Sequence, residues 1–479
     1  MGSMDPAVTN LPTFNALSAP VFDSLVDLDP EGQVRPGIAE RWEIAKDGMT
    51  HTFYIRKGVK FHDGSDLTGE DVKFSLERMM APKVINVDGV AWRGLIASVD
   101  LKDDYTVVLQ LKKPQFDLLK GIVNASGGGA VLPKRFIEEK GEDRYWQNPV
   151  GSGPWKVVKW EPGTRLELEA NENHWRAAPK FKNLTVLNIT EESTKVAMLK
   201  TGEMDLAEIG PDSVAGIKAA GLRVVGHYGG SQLYGFIFYD MDNPQNYAFG
   251  DVRVRKAVSL AVDRKEMADK IYRGQAQPDA LWYVPRTAYF FDPSLLKPDP
   301  YDPDGAKKLL AEAGYANGFS TKIWDMGSDS NSVQAIVGYL RKVGILAETP
   351  AIDFATARSY YSPKHDPKIL NSIFIRSSSG GIFGFEGMEV GYHSTRSVTK
   401  NIRNPRLDEL IEKVPQTADP VEKKKLATEA AVLAKGEANI LTFVSLDTIF
   451  ALSSKIGDIQ LTKGNVVFGP SLSTITHAK

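Results

Sequence analysis

The 479-residue chain contains no cysteine. This absence excludes disulfide bonds, thiolate nucleophiles, cysteine-ligated zinc and iron–sulfur clusters, and a domain of this size does not need disulfides for stability. The chain also lacks any run of about 18 apolar residues, the length that spans a bilayer as a helix. Its 58 Lys and Arg residues are balanced by 60 Asp and Glu residues, for a net charge of −2. Without a basic excess, we expect neither a nucleic-acid partner nor polybasic attachment to a membrane.

The length and composition are typical of a soluble globular protein. Hydrophobic residues make up 42% of the chain and charged residues 25%. At roughly 150 residues per domain, the length predicts about three domains or lobes. The first residues, Met1-Gly-Ser-Met-Asp-Pro6, have neither the basic nor the apolar region of a signal peptide. We interpret residues 1–6 as a cloning scar that replaced a native signal peptide.

Strand and helix signals are mixed along the chain. Runs rich in β-branched and aromatic residues predict strands at 52–55, 105–111, 155–160, 184–189 and 233–238. Capping residues, first-turn prolines and terminal glycines delimit four helices. These helices are expected to begin at Thr68, Asp251, Asp302 and Asp419 and to end at Pro82, Gly274, Gly314 and Gly436. Within the second of them, we expect Asp263 and Arg264 to form an internal ion pair.

Searches for catalytic motifs find no signature. The seven histidines are scattered without a His-Glu-x-x-His pattern, and no Gly-x-Ser-x-Gly occurs. Val150-Gly-Ser-Gly-Pro154 lacks the Lys of a phosphate loop and the third Gly of a dinucleotide fingerprint. We therefore expect no enzymatic activity, no metal ion and no cofactor. A carbohydrate-active hydrolase stays a distant alternative, because its paired carboxylates would meet only in the fold.

Residues 36–75 carry the most distinctive succession of turns and short elements. We expect a short helix that ends in Trp42, a turn at Asp47-Gly48 and a strand that reaches Arg56. Positive φ angles are expected at the turn glycines, which are Gly48, Gly58 and Gly64. Trp42 and Phe61 are expected to fill the core.

This tract resembles the signature of the extracytoplasmic solute-binding proteins of family 5, the peptide, nickel and opine receptors of ABC importers. Further blocks similar to this family follow in its order, at 149–163, 171–175, 251–264 and 301–319. The resemblance implies an α/β, two-lobed periplasmic-binding-protein (Venus-flytrap) fold of the class II, cluster C type, with an extra subdomain inserted in the first lobe. We expect lobe I to comprise 1–30, 161–232 and 448–479, the inserted subdomain 31–160, and lobe II 233–447. Ligand would be enclosed between the lobes as they close.

The resemblance also implies where the ligand is held in lobe II, and the sequence departs from the family's pattern there. In the family's peptide receptors, a carboxylate in a Gly-Asp-x-x-Asp-Pro-like stretch holds the peptide ammonium. The matching stretch, 374–388, contains no Asp. Two interpretations of Arg376 stay open: it clasps a ligand carboxylate bidentately, or it forms a pair within the lobe. Glu386 is the alternative anchor for an ammonium.

Other candidate contacts follow from the family's nickel-chelate receptors. His393 lies where these receptors carry a histidine, and Trp92 lies where they place a tryptophan in the cleft. The alternatives are a surface histidine and a core tryptophan. The arginine that these receptors carry in the cleft, expected near 124–129, is missing. The remaining candidate ligand contacts are Asn15, Ser126, Ser378, Phe383 and Tyr392.

We interpret the chain as the periplasmic receptor of an ABC importer. It is expected to bind a small polar organic solute, such as an amino-acid conjugate, an opine or another carboxylate-bearing molecule. As a monomer, it would deliver this solute to an inner-membrane permease with its ATPase. An oligopeptide receptor is the alternative if Glu386 contacts an ammonium. A sensor or periplasmic chaperone is a third possibility, favoured by the lack of a tightly bound small ligand.

Overall fold

The structure, a computed structural model, describes most of the chain. The described residues are 4–5, 7, 17–29, 33–84, 87–122, 129–238, 248–282, 284, 286, 288–325, 330–360, 369–379, 385–397, 403–459, 472 and 474–478. The chain divides into two units, which are Met1–His227 with Ile449–Lys479, and Tyr228–Thr448. No helix in these ranges is long and apolar enough to cross a membrane.

The first unit contains small antiparallel sheets flanked by short helices. Its strands are β1 (Val26–Leu28), β2 (Val34–Pro36), β3 (Ala39–Ile44), β4 (Thr50–Ile55), β5 (Ile96–Asp103), β6 (Thr106–Leu111), β7 (Trp155–Glu161), β8 (Arg165–Ala170), β9 (Asn183–Leu187) and β10 (Leu206–Ile209). Strands β1 to β9 form the sheets β1-β2, β3-β4-β6-β5 and β7-β8-β9, whereas β10 pairs antiparallel with the end of a later strand, with Leu206 opposite Leu452. The helices are α1 (Gly69–Met79), α2 (Val87–Leu95), α3 (Leu118–Gly121), α4 (Lys134–Lys140), α5 (Glu142–Gln147), α6 (Glu192–Thr201) and α7 (Val214–Ala219).

The second unit is built on one mixed sheet. Its strands are β11 (Arg223–Phe238), β12 (Ala276–Pro278), β13 (Phe319–Asp325), β14 (Ile345–Glu348), β15 (Ser372–Ser379) and β16 (Ile440–Leu452), in the order β16-β11-β15-β13-β14 with β12 on β16. Its helices are α8 (Val252–Ala261), α9 (Arg264–Glu266), α10 (Pro303–Glu312), α11 (Ser330–Lys342), α12 (Phe354–Tyr360), α13 (Glu386–Tyr392), α14 (Pro405–Lys413) and α15 (Pro420–Glu437).

Both faces of this sheet are covered. Ile373 and Ile375 belong to a core cluster that includes residues of α8, α10 and α11. Phe374, between them in β15, belongs to a second cluster with residues of α14 and α15. Successive strand residues point to opposite faces of a sheet. Because Phe374 and its two neighbours belong to different clusters, helices pack on both sides of the sheet. A strand buried on both faces is expected to be apolar, as β15 is at residues 373–375.

Two strands carry the chain across the unit boundaries. β11 contains the boundary at Tyr228, and β16 contains the boundary at Ile449. The chain crossings expected near 232 and 447 fall in these same strands. The separate subdomain within the first lobe stays a prediction.

Several local predictions are confirmed. Each predicted strand overlaps an observed one. The side chains of Asp251, Asp302 and Asp419 accept hydrogen bonds from first-turn N–H groups of the helices that follow them. The predicted turn glycines have positive φ, at 69° for Gly48, 77° for Gly58 and 89° for Gly64. These glycines adopt the left-handed backbone conformation that side chains disfavour.

The prediction of a helix that ends in Trp42 is wrong. Residues Ala39–Ile44 form strand β3, which pairs antiparallel with β4, and Trp42 lies opposite Phe53. The Asp47-Gly48 turn closes this hairpin, so cross-strand pairing overrides the weak helical pattern of the short segment. Trp42 is half-buried on a strand and does not fill the core as expected, whereas Phe61 is 3% exposed.

The long helix expected from Asp251 to Gly274 is interrupted. Helix α8 ends at Ala261, and Val262 is extended. Asp263 then caps a new helix by accepting the N–H of Glu266 at 2.8 Å. The predicted Asp263–Arg264 pair is wrong, because Arg264 donates instead to the carbonyls of Ser259 (2.8 Å) and Thr442 (3.2 Å). The buried guanidinium satisfies main-chain acceptors rather than the adjacent carboxylate.

The end of α15 is also displaced from its predicted position. Gly436 lies within the helix, and Ala438 takes the left-handed conformation after it, at φ 52°. Ala438 is 4% exposed. Burial of its methyl group offsets part of the strain of this backbone conformation.

Candidate functional site

Parallel strands bring three chain segments to one edge of the second unit's sheet. β13 is parallel to β14 on one side and to β15 on the other. The carboxyl ends of the three strands therefore lie at the same edge. Ligands of α/β proteins commonly bind at such carboxyl ends. We name this part of the second unit the carboxyl edge and define it by Trp324, Asp325, Glu348 and residues 376–379.

Arg376 lies at the carboxyl edge. Asp325, the last residue of β13, pairs with Ile375, and Arg376 is the next residue of β15. On its other side, β15 is antiparallel to β11, so that Arg376 pairs with Gly235 and Gln232 pairs with Ser379. A Cβ atom at Gly235 would come within 1.9 Å of the Leu441 carbonyl oxygen. Gly235 thus permits close packing of the strand that supports Arg376.

The predicted ligand contacts differ in how much the structure describes of them. The backbones of Arg376 and Ser378 lie in β15, and Glu386 begins α13, but their side chains lie outside the described part. Asn15, Ser126 and Phe383 lie wholly outside the described residues. Arg376, Ser378 and Glu386 belong to the same unit. Their direct contact with ligand stays a prediction.

Tyr392 and His393 have contacts within the second unit. Tyr392 is fully buried, and its hydroxyl donates to the carbonyl oxygen of Trp282 at 3.0 Å. His393 is 5% exposed, so the alternative of a surface histidine is wrong. Its Nδ1 accepts the N–H of Thr395 at 3.2 Å, and its Nε2 lies 3.4 Å from a Glu412 carboxylate oxygen. These contacts within the second unit favour structural roles for both residues.

Trp92 lies in α2 of the first unit and is 3% exposed. The neighbouring Arg93 donates to the carbonyl oxygens of Ala81 and Val84, at 2.8 and 3.1 Å, and so ties this helix to the segment before it. The burial of Trp92 favours the core alternative, and its stacking against a ligand stays a prediction.

Several side chains of the first unit form hydrogen bonds with the carboxylate of Asp23. Its oxygens accept the indole N–H of Trp175 at 2.8 Å and the hydroxyl of Ser152 at 3.1 Å. His174 Nε2 lies 3.3 Å from both carboxylate oxygens. The blocks at 149–163 and 171–175 that resemble the family therefore meet the segment around Asp23 and have a structural role there.

His62, from the tract at 36–75, is held close to this cluster. Its Nε2 donates to the carbonyl oxygen of Gly153 at 2.9 Å, and its Nδ1 accepts the N–H of Gly151 at 3.2 Å. Burial disfavours the charged imidazolium and lowers the pKa of His62 to about 4. His62 is thus a neutral structural residue at physiological pH. Among the described residues, no group of three or more His, Cys, Asp or Glu side chains could hold a metal ion.

Trp324 is a feature of the carboxyl edge that the sequence analysis missed. It is partly exposed, stacks on the buried Phe374 ring at 6.2 Å between centroids, and meets the Tyr360 ring edge-on at 6.0 Å. Its indole N–H donates to the Ser372 hydroxyl at 3.1 Å. Its position near the end of a strand was the signal that could have indicated a ligand contact. A tryptophan in an alternating strand, however, is equally typical of a core residue.

Comparisons with known proteins agree with this architecture. The sequence model of the bacterial extracellular solute-binding proteins, family 5 Middle, matches residues 33–381. The glutathione-binding protein GsiB of Salmonella choleraesuis is 30% identical over 357 residues, which are 73% of this chain and 67% of that protein.

Two solved structures show the same fold. DppA of Helicobacter pylori, an ABC transporter-associated periplasmic binding protein in complex with the peptide STSA, has a TM-score of 0.83 at 22% identity and covers 100% of this chain and 96% of its own. AgaA of A. tumefaciens R10, in complex with agropinic acid, has a TM-score of 0.82 at 21% identity with the same coverage. The predicted two-lobed α/β fold is confirmed. With its match over 33–381, this chain belongs to the bacterial extracellular solute-binding proteins of family 5, the solute receptors of ABC importers.

Proposed function

We propose that this chain is a monomeric periplasmic receptor for a small polar solute that carries a carboxylate, such as an amino-acid conjugate or an opine. It delivers this solute to the permease and ATPase of an ABC importer. The observation that carries the proposal is the 30% identity to a glutathione-binding protein over 73% of the chain. Glutathione is an amino-acid conjugate that carries carboxylates. The fold neighbour that holds agropinic acid supports the same chemical class.

Arg376 is the proposed anchor for the solute carboxylate. Strand β15 brings it to the carboxyl edge, immediately after the pair Asp325–Ile375. The guanidinium fork of arginine binds a carboxylate through two parallel hydrogen bonds and stays charged at all physiological pH values. The adjoining residues 377–379 are serines, which add hydroxyl donors without adding a competing negative charge.

A calorimetric comparison of variants tests this role. The ligands are glutathione and agropinic acid, and the variants are Arg376→Ala, Arg376→Lys and the control Arg406→Ala. Arg406 is an exposed arginine of α14 that pairs with Glu409 and Glu429. Arg376→Ala is expected to weaken binding by about 1.5–3 kcal/mol, as for a hydrogen bond to a charged group. Arg376→Lys should restore only part of the affinity, and the control should bind as the parent does. Unchanged affinity in Arg376→Ala overturns the anchor.

An oligopeptide receptor is the second candidate, supported by the fold likeness to DppA with its bound peptide. Glu386, at the start of α13, would then hold the peptide ammonium. Glu386→Gln distinguishes the candidates, because it should weaken binding of a peptide such as STSA and leave binding of an opine nearly unchanged. Peptide binding that is insensitive to Glu386→Gln would remove this candidate's anchor.

A further inference from the structure

Trp324 is held in a fixed orientation and yet is partly exposed. Phe374, which is fully buried, stacks on the indole with an angle of 23° between the ring planes. The indole N–H donates to the Ser372 hydroxyl, which in turn donates to the carbonyl oxygen of Ile369 at 2.6 Å. Tyr360 contacts the ring at an interplanar angle of 65°. Stacking, hydrogen bonding and edge contact together leave the ring few alternative rotamers.

This ring lies near the position of the proposed carboxylate anchor. Trp324 is the residue before the last of β13 and pairs with Phe374. Phe374 and Arg376 are separated by one residue and therefore occupy positions on the same face of the sheet. Two residues along a strand span roughly 7 Å. A rigid, partly exposed aromatic ring is thus placed within a small molecule's length of Arg376.

We propose that Trp324 determines specificity by packing against an apolar group of the solute. The proposal rests on the function proposed above and narrows its ligand class to carboxylates that also carry an apolar substituent. A ring already fixed in place loses little side-chain entropy when such a group packs against it. An aliphatic or aromatic substituent therefore gains contact area at low cost, whereas the ring face gives a polar substituent no hydrogen bond in exchange for its lost hydration.

Pairs of ligands that share the same carboxylate-bearing parent and differ in their apolar group test the proposal. Calorimetry compares S-methylglutathione with S-hexylglutathione, which differ only in apolar chain length, and N-acetylglycine with N-benzoylglycine. The parent protein is expected to bind the larger member of a pair at least about tenfold more tightly, since burying the added apolar surface is favourable. Trp324→Ala should reduce this ratio to near one. Trp324→Phe, which keeps an aromatic surface, should retain most of it.

Trp282→Phe is the control for a purely structural effect. Trp282 belongs to the same core cluster as Phe374 and is fully buried. This variant is expected to unfold at a lower temperature while keeping the affinity ratio. If Trp324→Ala weakens binding of both members of a pair equally, or has no effect, the ratio of their affinities is unchanged and the ring has only a structural role. That result overturns the proposal, while the carboxylate function stands. If none of these conjugates, glutathione or agropinic acid binds, the proposed function fails and the proposal fails with it.

Discussion

Asp5 and Arg78 form a buried bidentate ion pair. Arg78 Nη1 and Nη2 donate to the two carboxylate oxygens of Asp5 at 2.7 and 2.6 Å, and the side chains are only 8% and 5% exposed, respectively. Met4, next to Asp5, is fully buried in a core cluster of the first unit. Residues 4 and 5 are therefore integrated into the fold of the first unit.

Breaking this pair should destabilise the protein strongly. Arg78→Ala leaves the Asp5 carboxylate buried without its guanidinium, and loss of one partner of a buried pair typically costs about 3–5 kcal/mol. The control is Arg135→Ala, which removes an exposed pair with Glu139 in α4. Its effect should be close to zero, because exposed ion pairs contribute little to stability. Urea denaturation measures both free energies of unfolding. Equal small effects would show that the Asp5–Arg78 contact does not hold in solution.

Acid should destabilise the protein through His62. Burial lowers the pKa of His62 to about 4 in the folded protein, whereas the ordinary pKa of a histidine is 6.5. Between these pH values the unfolded chain binds more protons than the folded one, so the free energy of unfolding falls as the pH is lowered. The loss from this group approaches about 3 kcal/mol by pH 4.

Comparison with His62→Gln isolates this contribution. Denaturation of both proteins at pH 7, 6 and 5 should give a steeper fall for the parent than for the variant, even if the variant is less stable at pH 7. Parallel pH profiles would contradict a neutral, buried His62. A direct NMR titration of the imidazole should likewise show no protonation until the pH approaches 4.

Gly151 should not tolerate a side chain. A Cβ atom there would lie 2.0 Å from the Val21 carbonyl oxygen and 2.8 Å from the Phe22 ring. We expect Gly151→Ala to destabilise the protein by more than about 2 kcal/mol, because backbone atoms must move. Gly338→Ala is the matched control, since Gly338 is exposed within α11 and a Cβ atom there meets nothing within 4 Å. It should stabilise the helix by about 0.5–1 kcal/mol. Thermal unfolding of both variants checks the opposite signs.

Sequence reasoning predicted those elements whose signals are local. Strand β6 is rich in β-branched residues, and Asp302 with Pro303 defines the start of α10, so both were found. The strand β3 was missed because its partner β4 supplies the pairing that a single-segment pattern does not contain. The break at Val262 was missed because Asp263 fits a helix interior as well as a second cap.

The candidate site was predicted less completely than the fold. Arg376 was found through its position in a segment that resembles the family, and the structure places its backbone at the carboxyl edge. The aromatic ring of Trp324 was missed because its proximity to Arg376 arises from parallel pairing of strands about 50 residues apart. Burial of Tyr392 and His393 depends on packing against distant residues and had no local signal in the sequence.

The most direct test of the proposed function is native mass spectrometry of the purified protein, followed by release of any bound molecule under denaturing conditions. If Arg376 anchors the solute, the purified protein should show an added mass that is released as a small carboxylate-bearing molecule with an apolar group, and this mass should be absent from protein carrying Arg376→Ala. A ladder of peptide masses, retained in Arg376→Ala and lost in Glu386→Gln, would overturn the proposed carboxylate receptor and establish the oligopeptide receptor instead.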